Sequence, residues 1–168
     1  MLVLDTPHLE LTPCPLDFAR VVTVDKPRAE RFLKARVPQE WLEDDLQDYL
    51  PLYVQHLEQE PDMLTWGIWL MIRAQDRVLV GDIGFKGKPD TSGTIDIGYK
   101  VLTPYRRRGY AYEAARALVD WAFAQPAVRR ITAQSLTDNA GSIRVLEKLG
   151  MQRTKTEGGY IHWELKAP

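Results

Sequence analysis

Cysteine is almost absent from this chain. Cys14 is the single cysteine among 168 residues, so no disulfide can form within the chain. The three histidines have no spacing typical of metal ligands, and no cluster of Cys and His indicates a structural zinc site. We therefore expect no metal, and a reducing compartment such as the cytoplasm.

The chain also lacks a long apolar run and an excess of charge of one sign. Its longest apolar stretch, residues 66–72, is too short to cross a bilayer, and its first residues do not have the pattern of a secretion signal. The formal net charge is -1, which disfavours a protein built chiefly to neutralise nucleic-acid phosphates. We expect neither a membrane nor a nucleic acid as partner, so any basic site must be local.

The order of periodic segments predicts one α/β domain over residues 1–168, since no repeat, linker or charge block divides the chain. An opening strand near residues 9–12 precedes a helix near 18–22, and helical spacing across 39–57 indicates two short helices or one helix broken at Pro51. The other predicted elements are strands at 64–73, 78–86 and 94–102, a helix at 109–125, a strand at 130–137, a helix at 140–149 and a terminal hairpin at 151–165.

The most informative segment is the loop that joins the strand at 94–102 to the helix at 109–125. A helix start presents unpaired N–H groups and the positive end of the macrodipole, so the loop can hold a diphosphate. Gly109 allows close approach, and Ala111 is small. The three arginines before Gly109 either add charge-assisted bonds to phosphate or form a solvated turn: Arg106, Arg107 and Arg108. No G-x-x-x-x-G-K-[ST] or G-x-G-x-x-G loop is present, which disfavours kinases, GTPases and dehydrogenases.

The residues Arg106-x-x-Gly109-x-Ala111 resemble the [QR]-x-x-G-x-[GA] signature of the GNAT superfamily of acetyl-CoA-dependent N-acetyltransferases. The sequence of this region is similar to that of the branch of the family that includes the ribosomal-protein N-terminal acetyltransferases. Further segments that resemble the family lie at 8–13, 81–85, 96–99, 112–114 and 139–151. The resemblance implies a mixed, mostly antiparallel central sheet, helices on both faces, and a central strand that splays from its neighbour.

The resemblance also implies acetyl-CoA as co-substrate. The central strand would part from its neighbour at a bulge near residues 99–102, and the backbone of Val101 and Leu102 would pair with the pantetheine arm. Asn139 would bond the pantetheine amides, cap the following helix, or do both. The candidate cofactor-binding residues are Tyr99, Val101, Leu102, Arg106, Arg107, Arg108, Gly109, Tyr110, Ala111, Asn139 and Ser142.

The implied reaction is direct transfer of an acetyl group to a primary amine of a protein N-terminus or a small molecule, within a ternary complex. Since an amine attacks only when neutral, Asp96 is the candidate base, acting through water; alternatively it is a surface residue paired with a Lys or Arg. Leu146 stands where many family members have a proton-donating tyrosine. Ser142, one turn earlier, is the candidate donor, or it only satisfies the helix N-terminus.

The sequence indicates neither the acceptor nor the oligomeric state, and it leaves undecided whether the chain forms a homodimer. A crowded acidic segment could attract a cationic amine or be a solvated helix face: Glu40, Glu43, Asp44, Asp45 and Asp48. Because the family tyrosine is missing and Asp96 is short, a non-catalytic module that binds or senses acyl-CoA is the alternative function.

Overall fold

Most strands and helices follow one another in the order that the periodicity predicts. The computed structural model describes residues 1–43 and 45–168, so Asp44 of the acidic segment lies outside the described residues. The strands are β1 (Leu4–Asp5), β2 (Leu9–Pro13), β3 (Ile68–Arg73), β4 (Val78–Phe85), β5 (Thr94–Val101), β6 (Arg130–Leu136), β7 (Gln152–Glu157) and β8 (Tyr160–Lys166). The helices are α1 (Leu16–Val21), α2 (Lys26–Leu33), α3 (Gln39–Leu42), α4 (Leu46–Gln59), α5 (Tyr110–Phe123) and α6 (Ala140–Lys148), with 3₁₀ turns at Pro61–Trp66 and Thr103–Tyr105.

The strands of the described residues form one sheet in the order β1-β2-β3-β4-β5-β6-β8-β7. Neighbouring strands are antiparallel except β5 and β6, which run parallel. That parallel ladder joins residues 94–96 to 130–132 and ends at the pair Asp96↔Thr132. The mixed, mostly antiparallel sheet and the splayed central strand β5 are therefore confirmed.

The strands part by a different route from the bulge expected near residues 99–102. β4 and β5 keep one register from the pair Gly81↔Val101 to the pair Phe85↔Ile97. β6 meanwhile pairs with β8 along its whole length, from Arg130 to Leu136. The opening thus arises because β6 stays with β8, and β5 remains regular.

Helices cover both faces of the sheet. On β3, Trp69 and Met71 belong to an apolar cluster with α5 and α6, whereas Leu70 and Ile72 belong to a cluster with α1 to α4. Successive side chains of a strand point to opposite faces. We therefore name the two sides of the sheet the α5/α6 face and the α1–α4 face.

Two helical features differ from the sequence-based expectation. α2 was not predicted, because it buries only Ala29 and Leu33; its start is marked instead by the Asp25 carboxylate, which accepts the N–H of Arg28. Pro51, expected to break a helix, lies inside α4. Burial of α4 residues such as Tyr53 and Leu57 offsets the backbone hydrogen bond that the proline cannot donate.

Candidate active site

The start of α5 is open toward solvent. Gly109 precedes the helix with φ 81° and has no side chain to cap it, and the N–H of Glu113 makes the first helical bond, to the Gly109 carbonyl at 3.0 Å. The N–H groups of Tyr110, Ala111 and Tyr112 lie before that bond and have no acceptor within the helix. Together with the positive end of the helix dipole, they form a site suited to an anion.

The loop before α5 adds positive charge and a firm attachment to β5. Arg106 donates its Nε–H to the carbonyl of Val101 at 2.8 Å, which fixes the loop to the end of the strand. Arg107 has a left-handed backbone with φ 62°, and both it and Arg108 are exposed. A Cβ built on Gly109 would meet no atom within 4 Å, so a ligand can approach the backbone closely.

The register of β5 shows which backbone groups face the opening. The N–H of Leu102 donates to the Val80 carbonyl at 2.8 Å, and the carbonyl of Asp96 accepts from Lys86 at 3.1 Å. Even-numbered residues of β5 thus direct their backbone groups toward β4, and odd-numbered residues direct theirs toward β6. Beyond Asp96, where β6 has left, the exposed backbone edge is formed by Ile97, Tyr99 and Val101.

This parity corrects one expectation. The Leu102 amide is part of the β4–β5 ladder, so it is not available for pairing with an added strand. Val101 does face the opening, although its carbonyl already accepts the bond from Arg106. Sequence reasoning missed Ile97 because only the register distinguishes the two edges of a strand.

Tyr99 of β5 and Ser142 of α6 are in contact beside the opening between β5 and β6. The Tyr99 hydroxyl lies 3.0 Å from the Ser142 hydroxyl, and the N–H of Ser142 donates to the Asn139 side chain at 3.1 Å. Asn139 therefore caps α6, one of the two roles expected for it. Burial raises the pKa of Tyr99 above its ordinary value, and the Ser142 hydrogen bond only partly opposes this. No local sequence pattern indicates this contact, because the two residues are 43 positions apart.

Asp96 lies at the last rung before the strands part. Its carboxylate pairs with Lys86 at 2.8 Å and accepts a hydrogen bond from the Thr132 hydroxyl at 2.7 Å. As an even-numbered residue of β5, it points to the α1–α4 face, whereas Tyr99 points to the α5/α6 face with Ser142. The structure therefore places the two candidate catalytic residues, Asp96 and Ser142, on opposite sides of the sheet.

The α1–α4 face carries further polar groups near β5. Asp82 on β4 lies opposite Lys100, and it accepts the indole N–H of buried Trp41 at 3.0 Å. A cleft of about 240 Å³ at the end of β5 is lined by Glu40, Glu43, Lys100, Leu102, Thr103, Pro104 and Arg106. Asp82 had no predicted role, although it belongs to the segment at 81–85 that resembles the family.

The described residues contain neither a candidate metal site nor a helix that could span a membrane. Among residues 1–43 and 45–168, no three His, Cys, Asp or Glu side chains are grouped so that they could hold a metal ion. None of the helices in this part of the chain combines the length and apolarity needed to span a bilayer.

Comparison with known proteins identifies the family. The family profile described as acetyltransferase (GNAT) domain matches residues 8–152. The chain belongs to the GNAT acetyltransferase family. The uncharacterized N-acetyltransferase YjdG of Bacillus subtilis is 31% identical over 163 residues, which cover 97% of each chain.

Solved structures of the family share the fold of this acetyltransferase. An acetyltransferase of the GNAT family from Bacillus anthracis superposes with a TM-score of 0.66 at 20% identity, covering 99% of both chains. RimL, in complex with coenzyme A, superposes with a TM-score of 0.68 at 14% identity, covering 98% of both chains. The enzyme is thus an acetyl-CoA-dependent acetyltransferase, and the open start of α5 at Gly109 fits the diphosphate of that co-substrate.

Proposed function

We propose that this GNAT enzyme transfers the acetyl group to a primary amine, either a protein N-terminus or a small molecule, by direct attack in a ternary complex. The observation that carries the proposal is the free backbone edge of β5 next to the open start of α5. The one site can hold the diphosphate at the loop and align the attached arm along the strand. The thioester then lies toward the point where β5 and β6 part, within reach of both faces of the sheet.

The residues that hold the co-substrate divide into two groups. The N–H groups of Tyr110, Ala111 and Tyr112 would bind the diphosphate, with charge from Arg107 and Arg108. Arg106 would keep the loop attached to β5 through its bond to Val101. The arm would pair with the β5 edge as an added strand, and the edge from Val101 to Ile97 is about 13 Å long at strand spacing. Bound acetyl-CoA supplies the activated acetyl group.

The amine would approach from the α1–α4 face. Gly98 is exposed, alternates with Tyr99 and so points to that face, and a Cβ built on it would meet no atom within 4 Å. The carboxylates of Asp96 and Asp82 lie on the same face and would attract the ammonium form of the substrate. We retain Asp96 as the base, acting through a water molecule, with Lys86 and Thr132 fixing its orientation.

A protein N-terminus is the acceptor class we favour. Residues 8–13 and the loop before α5 resemble the branch of the family that includes ribosomal-protein N-terminal acetyltransferases. An α-amino group, with a pKa of ~8, also needs less help to lose its proton near neutral pH than a lysine, at ~10. A base that acts only through water suits the less basic amine.

The test is a panel of amines incubated with the purified enzyme and acetyl-CoA. Dipeptides with different N-terminal residues, polyamines and simple primary amines are compared by the release of free thiol and by mass spectrometry of the products. We expect turnover with α-amines, fastest among the dipeptides. Tight binding of coenzyme A without turnover of any amine would support the non-catalytic acyl-CoA-binding module instead.

Gly98→Val tests the direction from which the amine approaches. The added side chain would fill the open space on the α1–α4 face, so kcat/KM for the amine should fall about tenfold or more, roughly 1.4 kcal/mol. Gly98→Ala should cause a smaller loss in the same direction. The Kd for coenzyme A, measured by calorimetry, should not change in either variant, because the arm lies along the strand edge. A parallel loss of coenzyme A affinity would place Gly98 on the cofactor side.

A further inference from the structure

The reaction leaves one proton unassigned. When the C–S bond of the thioester breaks, the sulfur takes the electron pair and needs a proton to leave as a thiol. Leu146, which replaces the tyrosine that many family members use, is fully buried with Leu149 in the apolar core and has no proton to give. The donor must therefore be another group beside the opening between β5 and β6.

Tyr99 is well placed to be that donor. Its backbone belongs to the free edge of β5, and its ring extends on the α5/α6 face to the first turn of α6. There its hydroxyl lies 3.0 Å from the Ser142 hydroxyl. The phenol thus bridges the opening that the end of the pantetheine arm would occupy.

Chemistry favours the phenol over the serine as the direct donor. A phenol has a pKa of ~10 and a thiol ~8.5, whereas a serine hydroxyl is a far weaker acid than either. Burial raises the pKa of Tyr99, so the phenol keeps its proton throughout the neutral range. Ser142 is suited to a supporting role, because the Asn139 side chain fixes its backbone and its hydroxyl contacts the phenol.

We propose that Tyr99 donates the proton to the departing sulfur and that Ser142 is a positioning residue that orients the phenol. This inference rests on the proposed amine acetylation. In the step, the Tyr99 O–H bond breaks as the S–H bond forms. Formation of the new C–N bond leaves the nitrogen with one proton more than the amide product carries. That proton passes through water to Asp96 and then to solvent, and solvent restores the phenol. The net result is one proton moved from the amine to the thiol.

The variant that tests the proposal is Tyr99→Phe, which keeps the ring and removes only the hydroxyl. We expect kcat with a dipeptide to fall about 100-fold, the usual contribution of a general acid. The Kd for coenzyme A, the KM for the dipeptide and the melting temperature should stay close to those of the wild type. Tyr49→Phe is the matched control: this tyrosine of α4 is 40% exposed, so its loss of a hydroxyl should leave kcat unchanged.

A double-mutant cycle separates the donor from the positioning residue. Ser142→Ala should lower kcat about tenfold, and Tyr99→Phe combined with Ser142→Ala should be no slower than Tyr99→Phe alone, because Ser142 acts through the phenol. The solvent isotope effect on kcat should change in Tyr99→Phe and persist in Ser142→Ala. A larger loss in Ser142→Ala than in Tyr99→Phe would overturn the proposal and make the serine the donor.

The two proposals fail in different ways. If the wild-type enzyme turns over no amine, the proposed function is wrong. If the wild type turns over amines and Tyr99→Phe is equally fast, amine acetylation stands and only the role of Tyr99 is refuted. A fall in coenzyme A affinity that accounts for the whole loss in Tyr99→Phe would also refute it, since the phenol would then serve binding.

Discussion

Replacing Gly109 by alanine is expected to weaken coenzyme A binding by about 2 kcal/mol, or ~30-fold in Kd. The methyl group would enter the open space at the start of α5, where no atom beyond the neighbouring residues in the chain lies within 4 Å. A diphosphate that contacts the N–H groups of Tyr110 and Ala111 must occupy that same space. Displacing it lengthens the charge-assisted hydrogen bonds that hold it.

Gly159 provides the matched control for this experiment. It lies between β7 and β8 with φ 82°, almost the 81° of Gly109, and a Cβ there would also meet nothing within 4 Å. Alanine at either position should cost about 1 kcal/mol of folding stability, because the left-handed backbone is strained for residues with a Cβ. Only Gly109→Ala should lose affinity for coenzyme A in calorimetry. Equal affinities of the two variants for coenzyme A would mean that the diphosphate does not bind at the start of α5.

Gly84→Ala is expected to destabilise the enzyme by about 3 kcal/mol. A Cβ on Gly84 would lie 2.0 Å from the carbonyl oxygen of Gly67 and 3.2 Å from the Cα of Ile68, and neither backbone atom can move alone. That oxygen also accepts the N–H of Phe85 at 3.1 Å, so relief of the clash would break the pairing of β3 with β4. The melting temperature should fall by roughly 6–12 °C for a chain of this length.

The control lies directly across the ladder. Gly98 on β5 is the register partner of Gly84, yet a Cβ on it would meet nothing within 4 Å. Gly98→Ala should therefore change the free energy of unfolding by less than about 0.5 kcal/mol. Urea unfolding of the two variants measures the difference. Similar stabilities would mean that β3 and β4 can separate at this point without cost.

The cofactor half of the site was the part that the sequence could specify. The loop before α5 and the helix itself are local features: Gly109, Ala111 and the helical spacing of apolar residues lie within one short segment, and the helix begins where it was expected. The splayed strand was available only through resemblance to the family. Its cause, the complete pairing of β6 with β8, involves residues about 30 positions apart along the chain, which no local pattern contains.

The catalytic half depended on contacts that a sequence does not display. Whether Val101 or Leu102 faces the opening is a question of parity, and a shift of one residue exchanges the two edges of β5. The sequence does not indicate on which face of the sheet Asp96 and Ser142 lie, and only the packed sheet shows that they lie on opposite faces. The contact of Ser142 with Tyr99 depends on how α6 packs against β5. α2 was missed for the opposite reason, since its capping residue was present but its apolar stripe was too sparse to notice.

The burial of Cys14 has a practical consequence for every assay of this enzyme. The thiol of Cys14, two residues before α1, is wholly inaccessible, and burial raises its pKa. The Tyr53 hydroxyl donates to the backbone carbonyl of Cys14 at 2.7 Å. A protonated, enclosed sulfur reacts with neither disulfide reagents nor maleimides. Colour reagents that trap free sulfhydryls will therefore count only the coenzyme released, without background from the folded protein, and a slow signal in the absence of both amine and acetyl-CoA will report unfolding.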